Sequence, residues 1–117
     1  MTSKTRLACE HDAAQHPPPR EYALTELEAA AAMCHALSDP SRLRLLLRLT
    51  EGERCVSELV ELEQAKLSSV SARLQALHAA RLVARRRDAK HVFYALADDH
   101  VRDLLGNILT HAAEPSA

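Results

Sequence analysis

A helical stripe followed at once by a basic hairpin constrains the fold of this chain more than any other feature. In the stretch 68–80, Val70, Leu74 and Leu77 recur at i, i+4 and i+7, which places them on one face of an α-helix. Two short apolar segments, LVA at 82–84 and HVFYAL at 91–96, then flank the polar residues RRRDAK. This pattern predicts a half-buried helix and, directly after it, a β-hairpin with a basic tip.

Start and stop signals place further helices on either side of this unit. Asp39 and Pro40 are typical of an N-cap and a first helical position, and Gly52 is typical of a helix stop. The predicted helices cover residues 22–37, 40 to about 51, 55–62, 67 or 68 to 80, and 98 or 99 to 114. The fold class is therefore mainly α with one β-hairpin, in the order α-α-α-α-β-β-α. This is the order of a winged helix-turn-helix.

Composition bounds the organisation of the chain. Its 117 residues suffice for one domain, and with 47% hydrophobic but only 3% aromatic residues the core must consist of Leu, Ala and Val. Residues 1–20 are polar and end in HPPPR, which predicts a flexible tail, so the domain is expected to cover residues 21–114. Only two glycines occur, which disfavours glycine-rich phosphate loops.

Two features of the composition bear on partners and location. Residues 66–91 hold seven basic residues against Asp88 and have a net charge of +6, whereas residues 21–64 hold nine acids against four arginines and have a net charge of −5. Such a split favours a polyanion-binding half. No apolar run reaches the ~18 residues of a membrane span. Three cysteines, an odd number, indicate a reducing cytoplasm, with Cys34 as a small buried residue.

Four stretches carry a resemblance to a known family. They are ALSDPSRLRLLLRL (36–49), ERCVSELVEL (53–62), SSVSARLQALHAARLV (68–83) and HVFYALADDHV (91–101). Together they closely resemble the ArsR/SmtB family of metal-sensing repressors over about residues 30–114. The resemblance implies a homodimeric winged helix-turn-helix that binds double-stranded operator DNA.

The residues themselves suit contact with DNA. The helix at 68–80 starts with small polar residues, as recognition helices do, and Gln75 and Arg73 can read adenine and guanine edges. The basic hairpin would be the wing that binds the phosphate backbone or the minor groove. The predicted DNA-binding residues are Ser68, Ser69, Ser71, Arg73, Gln75, Arg85, Arg86, Arg87 and Lys90.

One position departs from the family pattern. Relatives place Ser or Thr as the cap of the recognition helix where this chain has Lys66. A lysine cannot accept the capping hydrogen bond, so the helix is expected to begin later, at Ser68.

The last helix carries two imidazoles on one edge. His100 and His111 are eleven residues apart, so they lie about 20° apart around the helix and about 16 Å apart along it. Each has a carboxylate nearby, Asp98 in one case and Glu114 in the other, beside an apolar stripe that suits a dimer interface. Two antiparallel helices related by a two-fold axis would bring unlike pairs together into two identical four-ligand sites.

The resemblance implies the ligands and their use. Zinc-sensing members carry Asp, His, His and Glu at the positions of Asp98, His100, His111 and Glu114, and the set fits tetrahedral Zn(II), with Cd(II), Co(II) and Ni(II) as alternatives. In close relatives the second ring nitrogen of the residue matching His111 bonds the backbone near the position of Arg81, which would couple metal to DNA. A second site is suggested by Cys9, His11, His16, Cys55 and Glu58.

The sequence therefore predicts a cytoplasmic, metal-responsive repressor, with zinc as the leading effector. As an apo-dimer it would bind a palindromic operator, and metal binding would release it and derepress efflux or sequestration genes. Two alternatives stay open. One is a winged-helix regulator with structural zinc or another inducer (cadmium, lead, cobalt or nickel), and the other is a metal-storage protein. An enzyme is not expected, because four ligands leave zinc no open position.

Overall fold

The computed structural model describes residues 20–116, which form five helices and three short strands. The helices are α1 (Leu24–Ala36), α2 (Pro40–Leu49), α3 (Val56–Glu63), α4 (Leu67–Ala79) and α5 (Asp99–Ala113). The strands are β1 (Arg54–Cys55), β2 (Val83–Asp88) and β3 (His91–Leu96). The predicted winged helix-turn-helix architecture is confirmed. Within the described part of the chain no helix is both long and apolar enough to cross a membrane.

The junction between α1 and α2 follows from the residues at 39–42. Asp39 has an extended backbone, and its carboxylate accepts the backbone N–H of Arg42 at 2.9 Å, as the N-cap prediction requires. Pro40 occupies the first helical position, where its missing N–H costs nothing. The Arg42 guanidinium turns back and donates to the carbonyl of Ala36 at 2.7 Å, which satisfies a free acceptor at the end of α1.

The helix-turn-helix is formed by α3, a short turn and α4. Gln64 ends α3 in the left-handed conformation, with φ of 50°. The start of α4 is the earlier of the two predicted residues, and not Ser68, the start expected from the missing cap. The helix begins at Leu67, and Lys66 occupies the N-cap position with no side-chain capping bond. Tertiary packing explains this start, because the stripe Val70, Leu74 and Leu77 is fully buried and stabilises the helix without a cap.

The sheet contains one strand more than the sequence predicted. β2 and β3 form an antiparallel hairpin, and β1 pairs with the other edge of β3, so the strand order is β1-β3-β2. A strand of two residues has no detectable alternation, which is why β1 was not predicted. The hairpin tip was also predicted too long. Arg85, Arg86 and Arg87 lie within β2, and the turn consists of Ala89 and Lys90.

The core lies between α2, α3, α4, the base of the hairpin and α5. Its fully buried members are Leu45, Leu46, Leu49, Leu59, Val70, Leu74, Leu77, Leu82 and Leu105. The two terminal helices contribute little to it, since α1 buries only Ala36 and α5 only Val101 and Leu105. Cys34, expected to be buried, is exposed on α1.

Candidate DNA-binding surface and metal site

The outward face of α4 is small and polar. Val70, Leu74 and Leu77 point into the core, so the opposite face of the helix carries Ser68 and Gln75, both exposed. The other predicted contacts on this helix, Ser69, Ser71 and Arg73, are half-buried on its flanks. Ser68 and Gln75 are therefore free to approach base edges, and the flanking residues are placed closer to the protein body.

The wing presents its arginines on two faces. Successive side chains of a strand point to opposite sides, so Arg85 and Arg87 share one face of β2 and Arg86 lies on the other. Within residues 20–116 no salt bridge involves Arg85 or Arg87. Lys90, in the turn, is exposed at the end of the wing.

Arg86 is about half exposed, and its guanidinium contacts Glu53, Phe93 and, at 3.9 Å, Asp88. Its Nη2 and Nε lie 2.7 and 2.8 Å from the two carboxylate oxygens of Glu53, and its guanidinium carbon lies 4.4 Å from the centre of the Phe93 ring. The hydrogen bonds from Arg86 lower the pKa of Glu53 below its ordinary value of 4.5. The same contact raises the pKa of Arg86 above its ordinary value. This pair was not predicted, because its members are 33 residues apart and β1 was not recognised.

At the start of α5, Asp98 has two partners. Its backbone is extended, with φ of −167°, and its Oδ1 accepts the backbone N–H of Val101 at 3.1 Å as the N-cap of the helix. The same oxygen lies 3.7 Å from Nδ1 of His100, whose side chain is 96% exposed. The N-cap conformation thus turns the carboxylate toward His100.

The end of α5 repeats this pairing. Nδ1 of His111 lies 3.4 Å from Oε1 of Glu114, and the two side chains are 88% and 60% exposed. Two ligand atoms at zinc bond lengths of ~2.0–2.1 Å and a tetrahedral angle lie about 3.3 Å from each other. The carboxylate–imidazole separations of 3.4 and 3.7 Å are close to this value. Each pair can therefore supply two ligands to one metal ion.

A single chain does not complete a site. Among residues 20–116 no group of three or more His, Cys, Asp or Glu residues is placed to hold a metal ion. The two pairs lie at opposite ends of α5, and their role as metal half-sites stays a prediction. Arg81, the predicted coupling position, lies just after α4 with φ of 64° and donates its N–H to the carbonyl of His78 at 2.9 Å. No hydrogen bond joins His111 to it in the described chain.

The second predicted cluster falls only partly within the structure. Cys9, His11 and His16 lie outside the described residues. Cys55 is half-buried as the N-cap of α3, with its Sγ 3.1 Å from Oγ of Ser57. Glu58 accepts the backbone N–H of Cys55 at 3.1 Å, and this hydrogen bond lowers the pKa of Glu58. Cys55 and Glu58 are thus brought together.

Arg102 is a further residue that sequence reasoning missed. It lies on α5, and its Nη1 donates to the backbone carbonyl of Thr50 at the end of α2, at 2.6 Å. This bond links α5, which carries the predicted metal half-sites, to the segment that precedes β1. Nothing in the sequence indicates it, because a backbone carbonyl can accept from any side chain that reaches it.

Comparison with known proteins defines the class. The sequence profile described as "Bacterial regulatory protein, arsR family" matches residues 39–85. The HTH-type transcriptional repressor SmtB of Mycobacterium tuberculosis is 39% identical over 98 residues, which are 84% of this chain and 70% of that protein. The transcriptional repressor SmtB homolog of Synechocystis is 38% identical over 96 residues, 82% of this chain and 73% of that protein.

A solved structure agrees with these relatives. The homodimeric winged helix-turn-helix DNA-binding domain of a possible ArsR-family regulator from Mycobacterium bovis superposes with a TM-score of 0.77. It is 28% identical, and the match covers 87% of this chain and 94% of that one. Fold, surface and relatives together define a winged-helix, DNA-binding transcriptional repressor and not an enzyme. The chain belongs to the arsR family of bacterial regulatory proteins.

Proposed function

We propose that this protein is a metal-responsive repressor that binds a palindromic operator as an apo-dimer and releases it when metal binds. Zinc is the leading effector. The observation that carries the proposal is the spacing on α5. Two exposed carboxylate–imidazole pairs, separated by the length of the helix, each hold their ligand atoms at distances that suit one tetrahedral ion.

A homodimer would complete both sites. Leu24 and Leu27 on α1 are 70% and 53% exposed, and Leu104 and Ile108 on α5 are 40% and 39% exposed. The part of the chain that the structure describes leaves these apolar side chains on the two terminal helices exposed, which favours an isologous interface built from α1 and α5. In such a dimer Asp98 and His100 of one protomer would meet His111 and Glu114 of its partner. The homodimeric structural relative supports this assembly.

The donor set favours borderline metal ions. Two imidazole nitrogens and two carboxylate oxygens suit Zn(II) and are compatible with Co(II), Ni(II) or Cd(II). They are unsuited to soft thiophilic ions such as Cu(I). A second site at Cys55 and Glu58, completed by Cys9, His11 and His16, would add a thiolate and favour zinc or cadmium there. We propose it as a subsidiary site.

Release of DNA requires that metal binds one dimer conformation better than the other. A ligand with equal affinity for both states shifts nothing, so the ligands on α5 must be better placed in the form with low DNA affinity. His111 is the proposed coupling arm, because its second ring nitrogen remains available to the backbone near Arg81. A bond there would act on the end of α4, the helix that faces DNA. The coupling free energy would be about 1–3 kcal/mol or more.

The test is an operator titration. A duplex selected from a randomised library by binding to the apo-protein is labelled, and its fluorescence anisotropy is followed against free zinc, cobalt, nickel and cadmium. We expect one or more of these ions, with zinc foremost, to release the duplex. Metal binding with undiminished DNA affinity would instead indicate a structural metal, and metal binding without selection of any duplex would indicate storage.

Cobalt distinguishes the two proposed sites. Ligation by Cys9 or Cys55 adds a sulfur-to-metal charge-transfer band in the near ultraviolet, whereas the nitrogen–oxygen site on α5 gives none. We expect this band in the unmodified protein and its loss in the double variant Cys9→Ser, Cys55→Ser. Unchanged stoichiometry and spectra in that variant would exclude the subsidiary site.

A further inference from the structure

The three arginines of β2 differ in what their guanidinium groups are free to do. Arg86 donates two hydrogen bonds to both oxygens of Glu53, and its flat face lies over the Phe93 ring. A bidentate pair of this kind uses the same N–H fork that a phosphate would occupy. Arg85 and Arg87 face the other side of the strand, and neither has an acidic partner within the described chain.

The position of Glu53 gives the Arg86 contact a structural role. Glu53 directly precedes β1, and Phe93 is the β3 partner of Cys55 in β1. The Glu53–Arg86–Phe93 cluster therefore joins β2 and β3 to the residue before β1, and it fastens β2, the outer strand of the wing, to the segment 50–54. That segment is itself held at Thr50 by Arg102 from α5. The wing is thus joined to the segment before β1 in two ways, by the pairing of β3 with β1 and by the contact of Arg86 with Glu53.

We propose that Arg86 is a positioning residue that sets the orientation of the wing, and that Arg85 and Arg87 make the wing's phosphate contacts. This assignment rests on operator binding as proposed above. It gives different roles to three consecutive arginines that the sequence alone does not distinguish. It differs from the sequence-based prediction that all three arginines bind DNA, and the experiments below decide between the two. The wing would then neutralise two phosphates per protomer from this strand.

Salt dependence separates the two roles. Loss of a phosphate contact lowers the slope of log affinity against log salt by about 0.9, or about 1.8 for a dimer with two wings. We expect Arg87→Gln to lower the slope by this amount, about 1.8. The neutral double variant Glu53→Gln, Arg86→Gln should keep the slope of the unmodified protein, because it removes no phosphate contact and leaves the net charge unchanged. Its affinity should fall roughly threefold to tenfold, since the wing is less well oriented.

A charge reversal gives a rescue that a phosphate contact cannot. In the double variant Glu53→Arg, Arg86→Glu the ion pair is rebuilt with opposite direction, so we expect affinity within about twofold of the unmodified protein. A phosphate-binding Arg86 would instead make this variant much weaker than the neutral one. Circular dichroism establishes that each variant is folded. If the charge-reversed variant does not fold, the slope of log affinity against log salt for the neutral double variant decides between the two roles of Arg86.

A spectroscopic readout follows the group itself. In the free protein the Nε–H proton of Arg86 should give a slowly exchanging NMR signal that is lost in Glu53→Gln and unmoved when the selected duplex is added. A slope that drops by about 1.8 in the neutral double variant, or a shift of the Arg86 signal on DNA, would overturn the assignment. Failure of the unmodified protein to bind any duplex would contradict the proposed function instead, and the two failures are therefore distinct.

Discussion

Asp39 connects a sequence signal to a measurable stability. Its carboxylate accepts the N–H of Arg42 at the start of α2, which carries three of the fully buried leucines of the core. Asp39→Ala removes this acceptor and should lower the free energy of unfolding by about 1 kcal/mol. Urea unfolding at neutral pH measures the change. Asp39→Asn keeps an acceptor at the same place and should stay within a few tenths of a kcal/mol of the unmodified protein.

His111 is the residue on which metal sensing is expected to depend. It is 88% exposed and makes no core contact, so His111→Gln should leave apo-protein folding and operator affinity nearly intact. Zinc-driven release should be abolished, because both the ligand and the coupling arm are removed. The measurement is operator release against free zinc.

Two comparisons make this test specific. His78→Gln changes an exposed histidine of α4 outside the proposed site and should respond to zinc like the unmodified protein. Asp98→Ala should weaken zinc binding but retain some release, since it removes a ligand and not the coupling arm. The proposed mechanism would be wrong if the His111→Gln protein left the operator at the same zinc concentrations as the unmodified protein.

At the scale of elements, the features that could be predicted are those formed by residues close together in the sequence. The stripe Val70, Leu74 and Leu77 and the cap at Asp39 are local patterns, so α4 and α2 were predicted close to their observed bounds. The pairs on α5 are also local, since helical geometry relates residues a few positions apart. The contacts Glu53–Arg86 and Arg102–Thr50 join distant positions, and no short pattern encodes them. α4 begins at Leu67, within the predicted range but one residue before the start expected from the missing cap, because packing of the buried stripe stabilises the helix.

The ion pair between Glu53 and Arg86 should weaken in acid, when Glu53 becomes protonated. Because Arg86 lowers the pKa of this carboxyl in the folded state, the ion pair stabilises the folded wing above pH 4.5 and the stabilisation is lost as pH falls below that value. NMR titration of the Glu53 side-chain carbonyl should show a midpoint below 4.5 that returns toward 4.5 in Arg86→Gln. Glu58 serves as an internal control, since its pKa is lowered by Cys55 and should not move. Equal Glu53 midpoints in both proteins would contradict the ion pair between Glu53 and Arg86.

At the scale of the whole molecule, α1 and α5 contribute few side chains to the core, and they are the helices proposed to form the dimer interface with its metal sites. α1 and α5 bury only three side chains between them, and their apolar residues are exposed in one chain. A partner that covers these residues would also join the Asp98–His100 pair of one protomer to the His111–Glu114 pair of the other. If the proposed intersubunit site is correct, dimer formation assembles its ligands, and a weakened interface should weaken metal binding as well.

Ile108→Glu tests this link. The side chain lies on the exposed apolar face of α5, between the two metal half-sites in sequence, and a carboxylate there would have to be desolvated in the dimer. We expect sedimentation equilibrium at micromolar concentrations to shift from dimer toward monomer, and zinc affinity and operator affinity to fall together. The melting temperature of the unmodified protein should rise with protein concentration, and this dependence should be lost in the variant. Leu47→Glu, at a similarly exposed leucine on α2, should remain dimeric. A monomeric Ile108→Glu protein with undiminished zinc affinity would show that the ligands of one chain suffice, and the intersubunit site would be wrong.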